Sequence, residues 1–480
     1  MSGPQQQCDW LAWFNQFDTD ESIRLAAHQS AVPVPNLGTL SADEACQKLD
    51  EAWKTVFVPG PQHVQILRSL LDQAKGFARS RYPTVNDYNQ QRCAGLFTTS
   101  SPQPIRCLTG LAGVSKSSLA RTFERICRLQ PSPEFFTDGQ RLVIYPVRRL
   151  EIDGQPSVLS ILKGVANPVA LAGRAMTGVA GLMEHVGDWL MATATSTLVV
   201  DEMQFFTQSN SASTKTSQLI MTLAHLGPPL VYVANFSLIT KLMLRPQEEK
   251  DRLLAAPMVL APPLAHDPWW IAAIGEYLSV APATFKFDAV THALELHRYT
   301  AGLFRALRQL LLQAYREARV LGRHDVTMED IRRAYRSRTY SSHRRDVEDL
   351  ASLAVSSLME GKRPDLVCPF AELRTAMRAA ANSSPQQLPK PVLSVLDAPA
   401  AMIESTISAG AKTTLRDLRR VANLPPDERI TAKVTRLPKR PPVTAQSLLQ
   451  GAQVLRDVLK SPHAASKTHA NLEAGDAKTI

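Results

Sequence analysis

A chain of 480 residues with 44% apolar and 20% charged residues is long enough for two or three globular domains, each with its own core. No stretch reaches the ~18 uninterrupted apolar residues of a spanning helix, and "MSGPQQQCDWLAWF" lacks the basic start and apolar run of a secretory signal, so a cytoplasmic protein without a membrane partner is expected. The net charge of +10 favours a polyanionic partner such as nucleic acid.

The first hundred residues predict helices. "SADEACQKLDEAWKTVF" opens with Ser41 and Glu44 at capping-box spacing and puts Ala45, Leu49, Ala52 and Val56 on one face. "PQHVQILRSLLDQAKGFARSRYP" repeats the pattern through Val64, Leu67, Leu71, Ala74 and Phe77. Its basic residues, Arg68, Lys75, Arg79 and Arg81, suit the negative end of a helix dipole, with a nucleic-acid contact as the alternative. The six cysteines (Cys8, Cys46, Cys93, Cys107, Cys127, Cys368) are widely spaced. They read as core residues in a reducing compartment, with neither a zinc site nor a disulfide framework.

From about residue 104 short apolar strands alternate with helices, the pattern of an α/β domain with a covered parallel sheet. "PIRCLTG", "RLVIYPVRRLEI", "TSTLVVDEMQFF" and "PPLVYVANFS" are the strand candidates, and "SLARTFERICRL" buries Leu119, Phe123, Ile126 and Cys127. After residue 260 only helices are expected. "AGLFRALRQLLLQAYREARVLG" has Leu303, Leu307, Leu310, Leu311 and Ala314 on its apolar side; Gly322 ends it, and a second helix starts at Thr327. Past about residue 381 the chain is rich in proline, alanine, serine and basic residues, too little apolar surface to offset chain entropy. Disorder is expected there, with short helices near 413–422 and 445–460 forming on a partner. The domains expected are a helical region over 1–100, an α/β ATPase domain over 101–260, a helical lid over 261–380 and a basic tail over 381–480.

The chemistry sits in "GLAGVSKSSLARTF". Against the phosphate-loop pattern G-x-x-x-x-G-K-[ST], Gly110, Lys116 and Ser117 are in place, and Ser115 stands where glycine is expected. In such a loop backbone N–H groups surround the phosphates, the lysine reaches the outer phosphates, and the next hydroxyl binds Mg²⁺. The nucleotide-binding set is thus Gly110, Gly113, Val114, Ser115, Lys116, Ser117 and Ser118. Serine at 115 restricts positive φ and crowds the phosphates, which leaves open a tolerated change, a relic or a chance match. A second motif argues for a real site: "TLVVDE" ends a buried strand in Asp201, beside the metal with Ser117, and Glu202, which polarises the attacking water. Asn235 ends the next strand and is placed to contact phosphate or water. Downstream, Arg245 and Arg252 are the candidates for an arginine acting on a neighbouring subunit's phosphate, or else two solvated arginines among acids. Arg305 opens the long lid helix and would sense nucleotide within its own subunit.

This ordered set resembles the AAA+ ATPases. Within them "LTGLAGVSKSSLARTF", "STLVVDEMQFF", "LVYVANFSLITKLMLRPQEEKDRLL" and "YTAGLFRALRQLLLQAYREA…VTMEDI" look most like the TnsC/TniB-type regulators of bacterial transposons, over about residues 100 to 340. The resemblance implies an ATP- and Mg²⁺-dependent ATPase that forms a homo-oligomer, a filament or ring, on duplex DNA. It would link a target-selection protein to transposase subunits, with hydrolysis controlling disassembly. It implies Glu202 as catalytic base, Asn235 as first sensor, Arg252 in preference to Arg245 as finger, and Arg305 as second sensor. DNA contacts would come from Lys163 and Arg174 first, then Arg148 and Arg149. The competing readings are a slowly hydrolysing nucleotide-bound scaffold and a STAND-like switch without DNA.

Overall fold

The computed structural model describes residues 13–84, 87–88, 90–91, 103–128, 135–137, 140–142, 144–154, 157–166, 178–207, 212–355 and 363–375. The chain divides into two units, Met1–Gln386 and Gln387–Ile480, and every described residue lies in the first. The tail with its two short helices therefore falls outside the described residues.

Five parallel strands form the central sheet: β1 (Ile105–Gly110), β4 (Val147–Glu151), β5 (Thr197–Asp201), β6 (Leu230–Asn235) and β7 (Pro257–Leu260), in the order β4-β5-β6-β1-β7. A separate antiparallel pair joins β2 (Phe135–Thr137) to β3 (Gln140–Leu142). The expected strand over 141–152 is thus two pieces. Pro146 lies between them and offers no ladder donor, and β4 begins just after it. The edge strand β7 escaped the sequence pattern because it is only four residues long, opens with Pro257 and is mostly half-buried.

Alternation along the strands fixes what covers each face. Leu108, Val199, Val231 and Val233 share a core with α1 (Asp20–Ala27), α3 (Pro61–Arg81) and α4 (Lys116–Cys127). Cys107, Leu198, Val200, Leu230, Tyr232 and Ala234 pack on α5 (Val158–Val165), α6 (Gly178–Ala192), α7 (Ala212–Ala224) and α8 (Phe236–Leu242). The N-terminal helices therefore form a layer of the α/β core. Arg68 and Lys75 of α3 pair with Asp20 and Asp18 at the start of α1, at 2.7 and 3.2 Å.

α2 (Ala42–Thr55), with its Ser41–Glu44 capping box in place, instead packs on the lid. The stretch expected as a lid, 261–380, contains α10 (Pro268–Ser279), α11 (Ala289–Thr300), α12 (Phe304–Val320), α13 (Met328–Arg336) and α14 (Ser341–Val355). Gly322 closes α12 with φ 71°, and Thr327 caps α13 in a capping box with Asp330. The fold class is the α/β one expected: a parallel sheet with flanking helices, preceded by N-terminal helices and followed by a helical block. Cys46, Cys107, Cys127 and Cys368 are buried and free. Among the described residues no helix is long and apolar enough to cross a membrane.

Candidate functional site

β1 ends at Gly110, the chain loops over 111–115, and α4 starts at Lys116. Gly110 has no room for a side chain, since a Cβ would lie 2.4 Å from the Leu260 carbonyl oxygen. Gly113 has φ 83°, and its Cβ would lie 2.7 Å from Cβ of Arg305. Its carbonyl accepts the Arg305 N–H at 3.2 Å, so the lid helix is pinned to the loop by a backbone bond. Val114 buries its side chain in the core, and its backbone N–H donates to the Leu111 carbonyl at 3.4 Å. Ser115 takes the left-handed conformation, φ 79° and ψ 16°, that the missing glycine would have taken freely. Its hydroxyl is 2.8 Å from Nε2 of His63 on α3 and donates to the Val114 carbonyl.

Lys116 lies buried and donates from Nζ to the carbonyls of Gly110 and Leu111, at 2.9 and 2.7 Å, and to Oδ1 of Asn235 at 2.7 Å. Burial chiefly, helped by the Arg305 charge, pulls its pKa down to about 7 against the opposing carboxylates of Glu202 and Asp201. Ser117 Oγ stands 3.2 Å from Asp201 Oδ1 and 3.3 Å from Glu202 Oε1. Asp201 is 1% exposed; burial first, and the Glu202 charge next, push its carboxyl up to about 6. Its Oδ2 is buried without a hydrogen-bond partner, and the nearest cation is Arg149 at 3.6 Å. A divalent ion fits this end of the site: the orphaned carboxylate oxygen and the Ser117 hydroxyl are hard oxygen donors of the kind Mg²⁺ takes. Glu202 has φ 61°, and its carboxylate also accepts from the Gln204 amide.

Lys116, Ser117, Ser118, Asp201, Glu202, Asn235, Gly113, Ser115 and Arg305 all line one cleft. The rest of its lining is mainly apolar, with Trp53, Val56, Phe57 and Val58 facing Ala273, Tyr277 and Phe304, and Lys54 and Arg308 are the cations among them. Trp53 donates its indole N–H to the Tyr277 carbonyl at 2.7 Å and stacks on that ring at 6.3 Å. A charged end and a flat apolar end suit a molecule with phosphates on one side and an aromatic base on the other. The sequence reading missed this wall, because its residues come from the last turn of α2, the extended segment after it and two helices beyond residue 267. It missed Gln204 and His63 as well. The one signal for His63 is its place three residues after Gly60, where it closes the start of α3 by accepting the Gly60 N–H at Nδ1.

The candidate arginines part company. Arg245 is held by Glu249 at 2.9 and 2.8 Å and by Thr214 at 2.9 Å. Arg252, on α9 (Gln247–Leu253), is exposed. Of the four basic residues expected at DNA, Lys163 is exposed on α5 and Arg174 lies outside the described residues. Arg148 donates to the carbonyls of Val165 and Gly164 and lies over the Trp189 ring. Arg149 pairs with Glu124 and Glu151 at 3.2 and 3.0 Å and faces Asp201. Both guanidinium groups are thus engaged within the protein.

No family model matches the chain, and no curated protein does. Among solved structures it is similar to the Aeropyrum pernix ORC1 protein in complex with DNA, at 16% identity over 76% of this chain and 90% of that one, TM-score 0.38. It is also similar to Cdc6p from Pyrobaculum aerophilum, at 14% identity over 78% and 89%, TM-score 0.39. A third is domain III of the Thermotoga maritima replication initiation protein DnaA, at 12% identity over 58% and 92%, TM-score 0.36. Likenesses this loose carry no inference about activity.

Proposed function

We propose that this chain is an ATP-hydrolysing regulator of DNA transposition that assembles as a homo-oligomer on duplex DNA and links a target-selection protein to the transposase. The observation that carries the ATPase half is the convergence of Lys116, Ser117, Asp201, Glu202 and Asn235, scattered over 120 positions, at one end of one cleft. The transposition half rests on the sequence resemblance around those residues.

Lys116 exchanges its two carbonyl acceptors for phosphate oxygens, and the loop N–H groups with the start of α4 hold the anion. Ser117 and Asp201 would hold magnesium, which when bound would supply the positive centre that neutralises phosphate charge. Glu202 leaves Gln204 and takes the proton of the attacking water, while Asn235, freed from Lys116, orients that water. Arg252 of one subunit reaches the outer phosphate held by the next. Arg305, tied to Gly113, signals the phosphate state to the lid. Duplex DNA is held by Lys163 with Arg174 through phosphate contacts, and binding weakens as salt rises.

The test is phosphate release from wild type and Glu202→Gln, with and without duplex DNA. Hydrolysis stimulated by DNA and lowered about 10²–10⁴-fold by the substitution is expected. Equal inactivity of both proteins with DNA present would sink the ATPase reading. Electron microscopy with a slowly hydrolysed ATP analogue addresses assembly: oligomers that form without regard to DNA at low salt would sink the DNA half and favour a signalling switch.

A further inference from the structure

We propose that His63 is a positioning residue that allows serine to stand immediately before Lys116; the inference rests on the nucleotide-site reading above. Ser115 is held in a left-handed backbone conformation that residues with a Cβ avoid. Although it is the N-terminal cap of α4, its side chain makes no capping bond. The hydroxyl is committed elsewhere, to the Val114 carbonyl and to His63.

The direction of the second bond follows from His63 itself. The ring is 1% exposed, and burial drops its pKa to about 4, so the imidazole is neutral. Nδ1 accepts the Gly60 N–H at 3.1 Å, which puts the one ring proton on Nε2. Nε2–H therefore donates to Ser115 Oγ at 2.8 Å, and Ser115 passes its own proton to Val114. The ring cannot swing away: Phe57 and Trp269 stand edge-on to it at 5.2 and 5.4 Å. Gly60 in turn must be glycine, because a Cβ there would lie 2.6 Å from the Trp269 ring.

Ser115 lines the cleft and His63 does not. The bond thus draws the hydroxyl toward the protein side and away from the phosphate space, and it fixes the turn that aims the loop N–H groups at a phosphate. Without His63 the serine is free to relax its strained backbone and turn its hydroxyl inward. Gly60, His63, Ser115 and Trp269 act as one unit that replaces the usual glycine.

The experiment is a double-mutant cycle on ATP binding by the full chain, with thermal unfolding recorded in parallel. His63→Leu keeps apolar bulk and removes both hydrogen bonds. It is expected to weaken ATP binding about tenfold in the wild-type background and less than about twofold in the Ser115→Gly background. A role in packing alone would cost the same in both, and that result overturns the inference. Should His63→Leu not fold, Ser115→Ala is compared with Ser115→Gly: alanine keeps the strain and loses the hydroxyl, so about fivefold weaker binding than with glycine is expected. Equal binding of these two variants overturns the inference. If wild type takes no ATP the nucleotide-site reading itself fails, whereas a wild type that binds, with additive variants, removes only the role of His63.

Discussion

The two ends of the cleft are built on opposite principles. At the charged end Lys116 and Asp201 are buried and pushed toward neutrality, Asp201 Oδ2 lacks a hydrogen-bond partner, and Ser115 and Glu202 sit at positive φ. At the apolar end Trp53, Tyr277 and Phe304 pack ring against ring, and the Trp53 indole N–H is satisfied. One end holds unmet electrostatic demand that a ligand relieves; the other is mostly packed rings, with Lys54 and Arg308 beside them. Substitutions at the two ends should therefore separate function from stability.

The first contrast lies at an exposed arginine outside the cleft lining. Arg252→Ala removes an exposed cation that holds no structure and should lower hydrolysis by about 10³-fold in the assembled protein, read as phosphate release. Arg245→Ala removes a pair with Glu249 and should change stability little while leaving most of the hydrolysis. If the two losses come out equal, the distinction between a free and an engaged arginine carries no weight.

Next comes the apolar end. Tyr277→Ala deletes a ring that is 7% exposed between Trp53 and Phe304. It should destabilise the protein by about 3 kcal/mol and weaken ATP and ADP equally, since the ring lies away from the phosphates. Unfolding curves and parallel titrations with the two nucleotides check this. A loss confined to ATP would break the contrast between the ends.

The order of motifs along the chain revealed the charged end well. Lys116, Asp201 and Asn235 each follow or end an apolar strand, so a parallel sheet had to bring them to one edge. The helical faces were equally legible: Leu119, Phe123, Ile126 and Cys127 are all buried. What local pattern does not carry is the company that side chains keep across the fold. Arg148 and Arg149 looked like free cations, yet carbonyls at 164 and 165 and carboxylates at 124, 151 and 201 claim them. The apolar wall failed for the same reason, because Val56–Val58 meet Tyr277 only through the docking of the lid on α2. Ser115 was visible as an anomaly, but its partner lies 52 positions upstream on a helix that reads as plain core.

A smaller effect, in stability, is expected from Asp201→Asn. The folded carboxyl titrates near 6 and the unfolded one near 3.8, so the folded state holds the proton more tightly, and stability falls as pH rises through that interval. Above pH 6 the fold carries a buried charge that a neutral amide removes. Asp201→Asn should hydrolyse no ATP, yet unfold about 3 °C higher than wild type at pH 7.5. That gain should vanish by pH 4, where the native carboxyl is protonated. An equal gain at both pH values would mean that shape, not charge, sets the difference.

The smallest and sharpest test concerns Lys116. In the free protein its ammonium loses a proton near pH 7, because burial outweighs the carboxylates of Glu202 and Asp201, with Arg305 opposing the charge from the lid. Phosphate favours the charged form, so the bound lysine keeps its proton to higher pH. Above pH 7 nucleotide binding must then take up a proton, and affinity falls as pH rises, by up to about tenfold per unit. At pH 8 the uptake should approach about 0.9 proton per nucleotide, and at pH 6 about 0.1. Titration calorimetry in two buffers of different ionisation enthalpy measures both. Asp201 is silent at pH 8, being already ionised, and near pH 6 a bound cation makes it release a proton, the opposite sign. A crossover from release to uptake between pH 6 and 8 therefore ties both buried charges to one ligand, and no net uptake at pH 8 would mean that Lys116 does not meet the phosphate.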